Sequence, residues 1–67
     1  MDATNLQKVM DAGFTVIRPD DHPNIRIKFK DKDQREWKTL YGNFPTKAER
    51  DRKLTELLRG SRLTIQD

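Results

Sequence analysis

Between Asn24 and Lys30 apolar and basic residues alternate without a break, Ile25, Ile27 and Phe29 interleaving with Arg26, Lys28 and Lys30. A period of two belongs to a β-strand, so a strand here sends the apolar set to one side of a sheet and the cations to the other. The apolar side has to be covered; the other is a basic stripe. Asp31-Lys32-Asp33-Gln34 then reads as the connection to a second strand that ends at Tyr41.

The chain has 67 residues and no cysteine. That length predicts one domain spanning residues 1–67, near the lower limit for a core without a staple. Ordering each residue costs about 1.5 kcal/mol, so nearly every large apolar side chain has to be buried. Without cysteine neither a disulfide framework nor a thiolate zinc site can form. No apolar run reaches membrane-spanning length and the start lacks a secretory pattern, which predicts a cytoplasmic protein with no membrane partner. The net charge of +3 is the balance of 14 basic and 11 acidic residues, the excess lying mainly from Arg18 onward. Such a balance permits a polyanionic partner without demanding one.

Residues 1–12 carry a helix signature. Thr4 and Gln7 have the capping-box spacing, Leu6, Val9 and Met10 share a face, and Gly13 suits the left-handed residue that ends a helix, with Phe14 clasping Val9. Phe14 to Arg18 is β-branched and aromatic, a first strand. Pro19 and Pro23 bracket a turn or loop. Gly42 to Pro45 is a turn, and Thr46 to Glu49 repeats the capping-box spacing ahead of a helix with Leu54, Leu57 and Leu58 on its buried stripe and Gly60 at its end. From Ser61 to Asp67, Leu63 and Ile65 alternate with polar residues, which allows a short edge strand or an ordered tail. The predicted fold class is α+β, two-layer: a three-stranded antiparallel sheet with two helices on one face, in the order α-β-β-β-α, with a short fourth strand allowed.

Two registers of the hairpin compete. With Asp31 to Gln34 as a simple connection, Lys28 faces Trp37 and Arg26 faces Thr39, which leaves Glu36 and Lys38 beside Phe29 and Ile27. A shift of one residue brings Trp37 and Tyr41 beside Ile25 and Ile27 and turns Glu36 and Lys38 toward the stripe. Scarcity of large apolar groups favours the shifted register, with Trp37 in the core.

Catalytic and metal chemistry find little to build on. His22 is the single histidine, and with Asp20 and Asp21 it reads as a solvated loop. Asp31 and Asp33 lack the glycine and the distal glutamate of a calcium loop. No nucleophile–base pair and no phosphate-cradling glycine loop stand out, so the chain is expected to be non-enzymatic, with no metal and no cofactor. The stripe is the stronger candidate. Arg26, Lys28 and Lys30, with Arg35 or Lys38 on the neighbouring strand, set like charges side by side, which costs stability unless an anion lies on them. Arg18 and Lys47 are further candidates for phosphate contact, Lys47 because it opens a helix.

The alternating basic strands, Trp37 in the third strand, and Phe44-Pro45-Thr46-Lys47-Ala48-Glu49 opening a helix with Leu54 and Leu57 resemble the arm-type DNA-binding domains of tyrosine-recombinase integrases. The similarity covers about residues 24–58 and implies a sheet laid in the major groove of DNA. A helix ahead of the first strand departs from that family, and the order of elements is similar in topology to double-stranded-RNA-binding domains. The expected function is therefore nucleic-acid binding, DNA ahead of RNA, in a protein of a phage or mobile element. The competing expectation is a protein-interaction module, an inhibitor or adaptor meeting a host protein through the sheet edge, the 61–67 tail or the charged helix.

Overall fold

The computed structural model describes residues 2–67, and these form an α+β domain of α1 (Ala3–Asp11), β1 (Thr15–Asp20), β2 (Arg26–Lys30), β3 (Lys38–Tyr41), α2 (Lys47–Gly60) and β4 (Thr64–Gln66). Met1, where the expected helical segment began, lies outside the described residues. The sheet order is β3-β2-β1-β4, with β1, β2 and β3 antiparallel and β4 parallel to β1. The C-terminal alternation is thus a strand, and it extends the sheet on the far side of β1.

Helix ends follow local chemistry. Asp2 caps α1, its carboxylate accepting from the Asn5 N–H at 2.8 Å. The helix therefore starts two residues ahead of the expected Thr4 cap, because the Asp2 carboxylate serves the Asn5 N–H and also suits the positive end of the helix dipole. At the other end Gly13 sits at φ 99°, with Gly13 N–H donating to Met10 O and Phe14 N–H to Val9 O, the paired bonds of a Schellman ending. Thr46 caps α2 as expected, accepting from the Glu49 N–H at 3.2 Å.

The first strand runs past its expected end at Arg18, through Pro19 to Asp20. Thr15 N–H donates to Leu63 O, and Ile17 O accepts from Asp67 N–H, so the odd-numbered residues of β1 turn their backbone groups toward β4. Pro19 continues that series beyond the last paired residue, Ile17, and its missing donor costs no ladder bond.

The core lies between the sheet and α2, where buried Ile17, Ile27 and Leu54 meet Phe29, Phe44, Leu57 and Leu58. Met10 and Val16 are buried outside this cluster, Val16 on the opposite side of β1 from Ile17 and next to Ile65 in β4.

The hairpin departs from both expected registers. The connection occupies residues 31–37, and pairing starts at Phe29↔Lys38 and Lys28↔Thr39. Lys28 now faces Thr39 where the simple register had Trp37, an even offset that keeps Trp37 on the cationic side of the sheet. Trp37 is half-buried there, and its expected place in the core is overturned. A register break then reverses the parity and sets Tyr41 opposite Ile27, on the side of the sheet where the shifted register had put it but not in that pairing. Lys38, expected to turn toward the stripe, instead pairs with Phe29 on the α2 side of the sheet. Scarcity of apolar residues did not force Trp37 inside, because the aliphatic stems of cations offer a ring nearly the same cover.

Candidate nucleic-acid interface

Alternation along β1 and β2 places Arg18, Arg26, Lys28 and Lys30 together on the side of the sheet away from α2, with Asp20 and Val16 among them. The register sets Arg18 opposite Lys28, Asp20 opposite Arg26 and Val16 opposite Lys30. Two cations face to face are destabilising unless something neutralises them.

Asp20 does most of that work. Its Oδ2 accepts from Arg26 Nε at 3.0 Å and Nη2 at 2.8 Å, with Lys28 Nζ at 3.6 Å, while its Oδ1 accepts from the Asp21 N–H at 3.0 Å and, more loosely, from the His22 N–H. Desolvation is the largest single influence on this carboxyl and pushes its pKa up. The Arg26 and His22 hydrogen bonds and the Lys28 and Arg26 charges together outweigh it and hold the group below its ordinary value of 3.8. From the other side of the sheet, the buried Arg50 of α2 donates from Nη1 to the Asp20 carbonyl at 3.2 Å. Asp20 is therefore gripped through its carboxylate on one face and its backbone on the other. Its expected role as a solvated loop residue is overturned, because the strand carries it into register with Arg26.

Arg18 pairs with the Asp67 carboxylate, just past β4. The Trp37 ring lies over both cross-strand cations, its centroid 4.5 Å from the Arg18 guanidinium carbon and 5.5 Å from Lys28 Nζ. Arg26 also donates from Nη1 to Thr39 Oγ1 at 2.6 Å. The side chains of Arg26 and Lys28 are accordingly 20% and 18% exposed, whereas Arg18 is 39% exposed above an Asp67 that is only 4% exposed.

The structure thus brings together four of the candidate residues and separates three. Arg35 is exposed in the connection 31–37, and Lys38 is exposed across the sheet. Lys47, at the start of α2, stands 3.3 Å from Asp21 in a solvent-exposed pair, which is worth little. Sequence reasoning missed Asp20, Asp67 and Arg50 as partners. The one available signal was the chance that Pro19 continues a strand.

The best-defined hollow, lined by Met10, Gly13, Phe14, Thr15, Asp31, Lys32 and Asp33, holds about 170 Å³. That is below the range of small-molecule pockets, roughly 300–1,000 Å³. A second hollow of about 420 Å³ lies along α2 between Arg52, Thr55, Glu56, Arg59 and Gly60, all of them exposed, so it is an open helix face that encloses nothing. Among the described residues no three His, Cys, Asp or Glu side chains converge as metal ligands, and no helix is long and apolar enough to cross a membrane. Compared with protein-family models, with curated proteins and with solved structures, the chain matches none of them.

Proposed function

We propose that this chain is a small, non-enzymatic nucleic-acid-binding module that meets the phosphate backbone with the cationic side of its sheet. The observation that carries the proposal is the convergence of Arg18, Arg26, Lys28 and Lys30 on one face, against two carboxylates, one of which lies deeper than the cation it holds. Arg26 and Lys28 are committed to Asp20, Thr39 and Trp37, so they build the face and set its potential. Lys30 and the exposed part of Arg18 are left to meet phosphates, with Arg35 of the connection 31–37 as a third contact, while Lys38 and Lys47 lie outside the patch.

Strands that enter a major groove reach phosphates and base edges with their side chains. The resemblance of residues 24–58 to integrase arm domains favours DNA over RNA and a cytoplasmic setting in a phage or mobile element. With three or four phosphates neutralised, log affinity should fall against log salt with a slope of about −3. Fluorescence anisotropy of labelled duplex DNA and duplex RNA across a salt series tests this. Lys30→Glu is expected to weaken binding at least about tenfold without unfolding the chain, Arg18 being left in place because it holds the enclosed Asp67 carboxylate. Absence of binding below about 100 μM, or a salt-independent affinity, overturns the proposal.

A further inference from the structure

The outer edge of β3 borders the cationic patch, where the Thr39 side chain accepts from Arg26, and is unoccupied by any strand among the described residues. Its backbone direction follows from the ladder. Odd-numbered residues of β1 turn toward β4, so Val16 and its partner Lys30 turn toward each other. Phe29 then turns toward β3 and meets Lys38, which leaves Thr39 with its N–H and C=O aimed outward. Every residue of β3 is exposed, including Leu40 at 38% and Tyr41 at 42%.

The side chains around this edge are mostly cationic. Lys38 flanks Thr39, Arg35 precedes it in the connection, and Lys53 of α2 holds its Nζ 4.7 Å from the Tyr41 ring centroid. The acids nearby are Glu36, exposed in the same connection, and Glu56, which stands 3.5 Å from Lys53. A basic edge with a bulge discourages a second copy of the same edge, since pairing would bring the two sets of cations together. The same charges attract an acidic strand.

We infer that the β3 edge is a docking site for an extended, acidic segment of another protein, which adds a strand beside Thr39 and sets acidic side chains on the α2 side of the sheet, next to Lys38 and to the Lys53 that lies over Tyr41. Backbone bonds hold such a segment and alternate side chains select it.

The test is a titration of the ¹⁵N-labelled chain with a synthetic octapeptide alternating glutamate with valine, and with its lysine counterpart, read by amide chemical shifts. The acidic peptide is expected to move the Thr39 amide and its neighbours 37–41 ahead of residues 16–20, and to bind at least about fivefold more tightly than the basic one. Lys38→Glu, at an exposed site that leaves the core untouched, should reverse that preference. Equal binding of both peptides overturns the inference, as do no binding below about 1 mM, shifts centred on Arg18 and Lys30, or concentration-dependent self-association through β3. Failure here leaves the duplex-binding measurements unaffected, because the two sites share no residue that both experiments substitute.

Discussion

Asp20 shows how one carboxylate can decide whether a cationic sheet face is stable. Without it, Arg26 and Lys28 would stand two residues apart on one strand with Arg18 across from Lys28, each partly desolvated. With it, their charges are shared and the group's own pKa falls below 3.8. A carboxylate whose folded pKa is depressed stabilises the fold above its unfolded pKa, and that contribution is lost as pH drops through the folded value. Urea denaturation from pH 7 to pH 2.5 should therefore show the wild-type chain losing its advantage over Asp20→Asn below about pH 4, the two curves converging at the acid end. Asparagine keeps the backbone carbonyl that Arg50 holds, so the difference isolates the carboxylate. A difference that stays constant across the range would mean that Asp20 acts through shape alone.

Helices and strands here are fixed as much by their ends as by their faces. The start of α1 depends on a single acceptor, and the structure identifies Asp2 in place of Thr4. Asp2→Ala should lower stability by about 1 kcal/mol, whereas Thr4→Ala should change it by less than about 0.5 kcal/mol, both read by thermal or urea melts. The reverse ranking would restore the capping box at Thr4. Similar reasoning explains why β3 begins late. Asp31 builds a local turn, accepting from the Asp33 N–H through its carboxylate and from the Gln34 N–H through its carbonyl. The chain then continues through Arg35 and Glu36 before it re-enters the sheet, and the length of that detour sets the parity that places Trp37 on the cationic side.

At the scale of the whole molecule the core is thin, with Ile17 and Ile27 completely enclosed and Leu54 nearly so. A single core of this size supplies on the order of 3–5 kcal/mol of net stability. Ile17 stands in β1 between β2 and β4, so Ile17→Ala leaves a void that neither neighbouring strand can close without breaking its ladder. The expected cost of about 2–5 kcal/mol removes most of that stability, visible as a large drop in the urea midpoint followed by circular dichroism. A well-folded variant would mean that α2 can shift to fill the space. Because so little stability is held in reserve, ion pairs such as Arg26–Asp20 and the stacking of Trp37 on Arg18 and Lys28 matter more here than they would in a larger domain.

Properties local in sequence could be read directly. The alternation from Asn24 to Lys30 implied a two-sided strand, Thr46 and Glu49 implied a helix start, and Gly13 implied a helix end, because each depends on backbone conformation within a few residues. The basic stripe itself was legible for the same reason. Its neutralisation by Asp20 and Asp67, the side of the sheet on which Trp37 lies, the burial of Arg50 and the parallel docking of β4 were decided only in three dimensions. Each depends on how far a connection runs before pairing resumes, and one residue of difference there exchanges every inward side chain for an outward one.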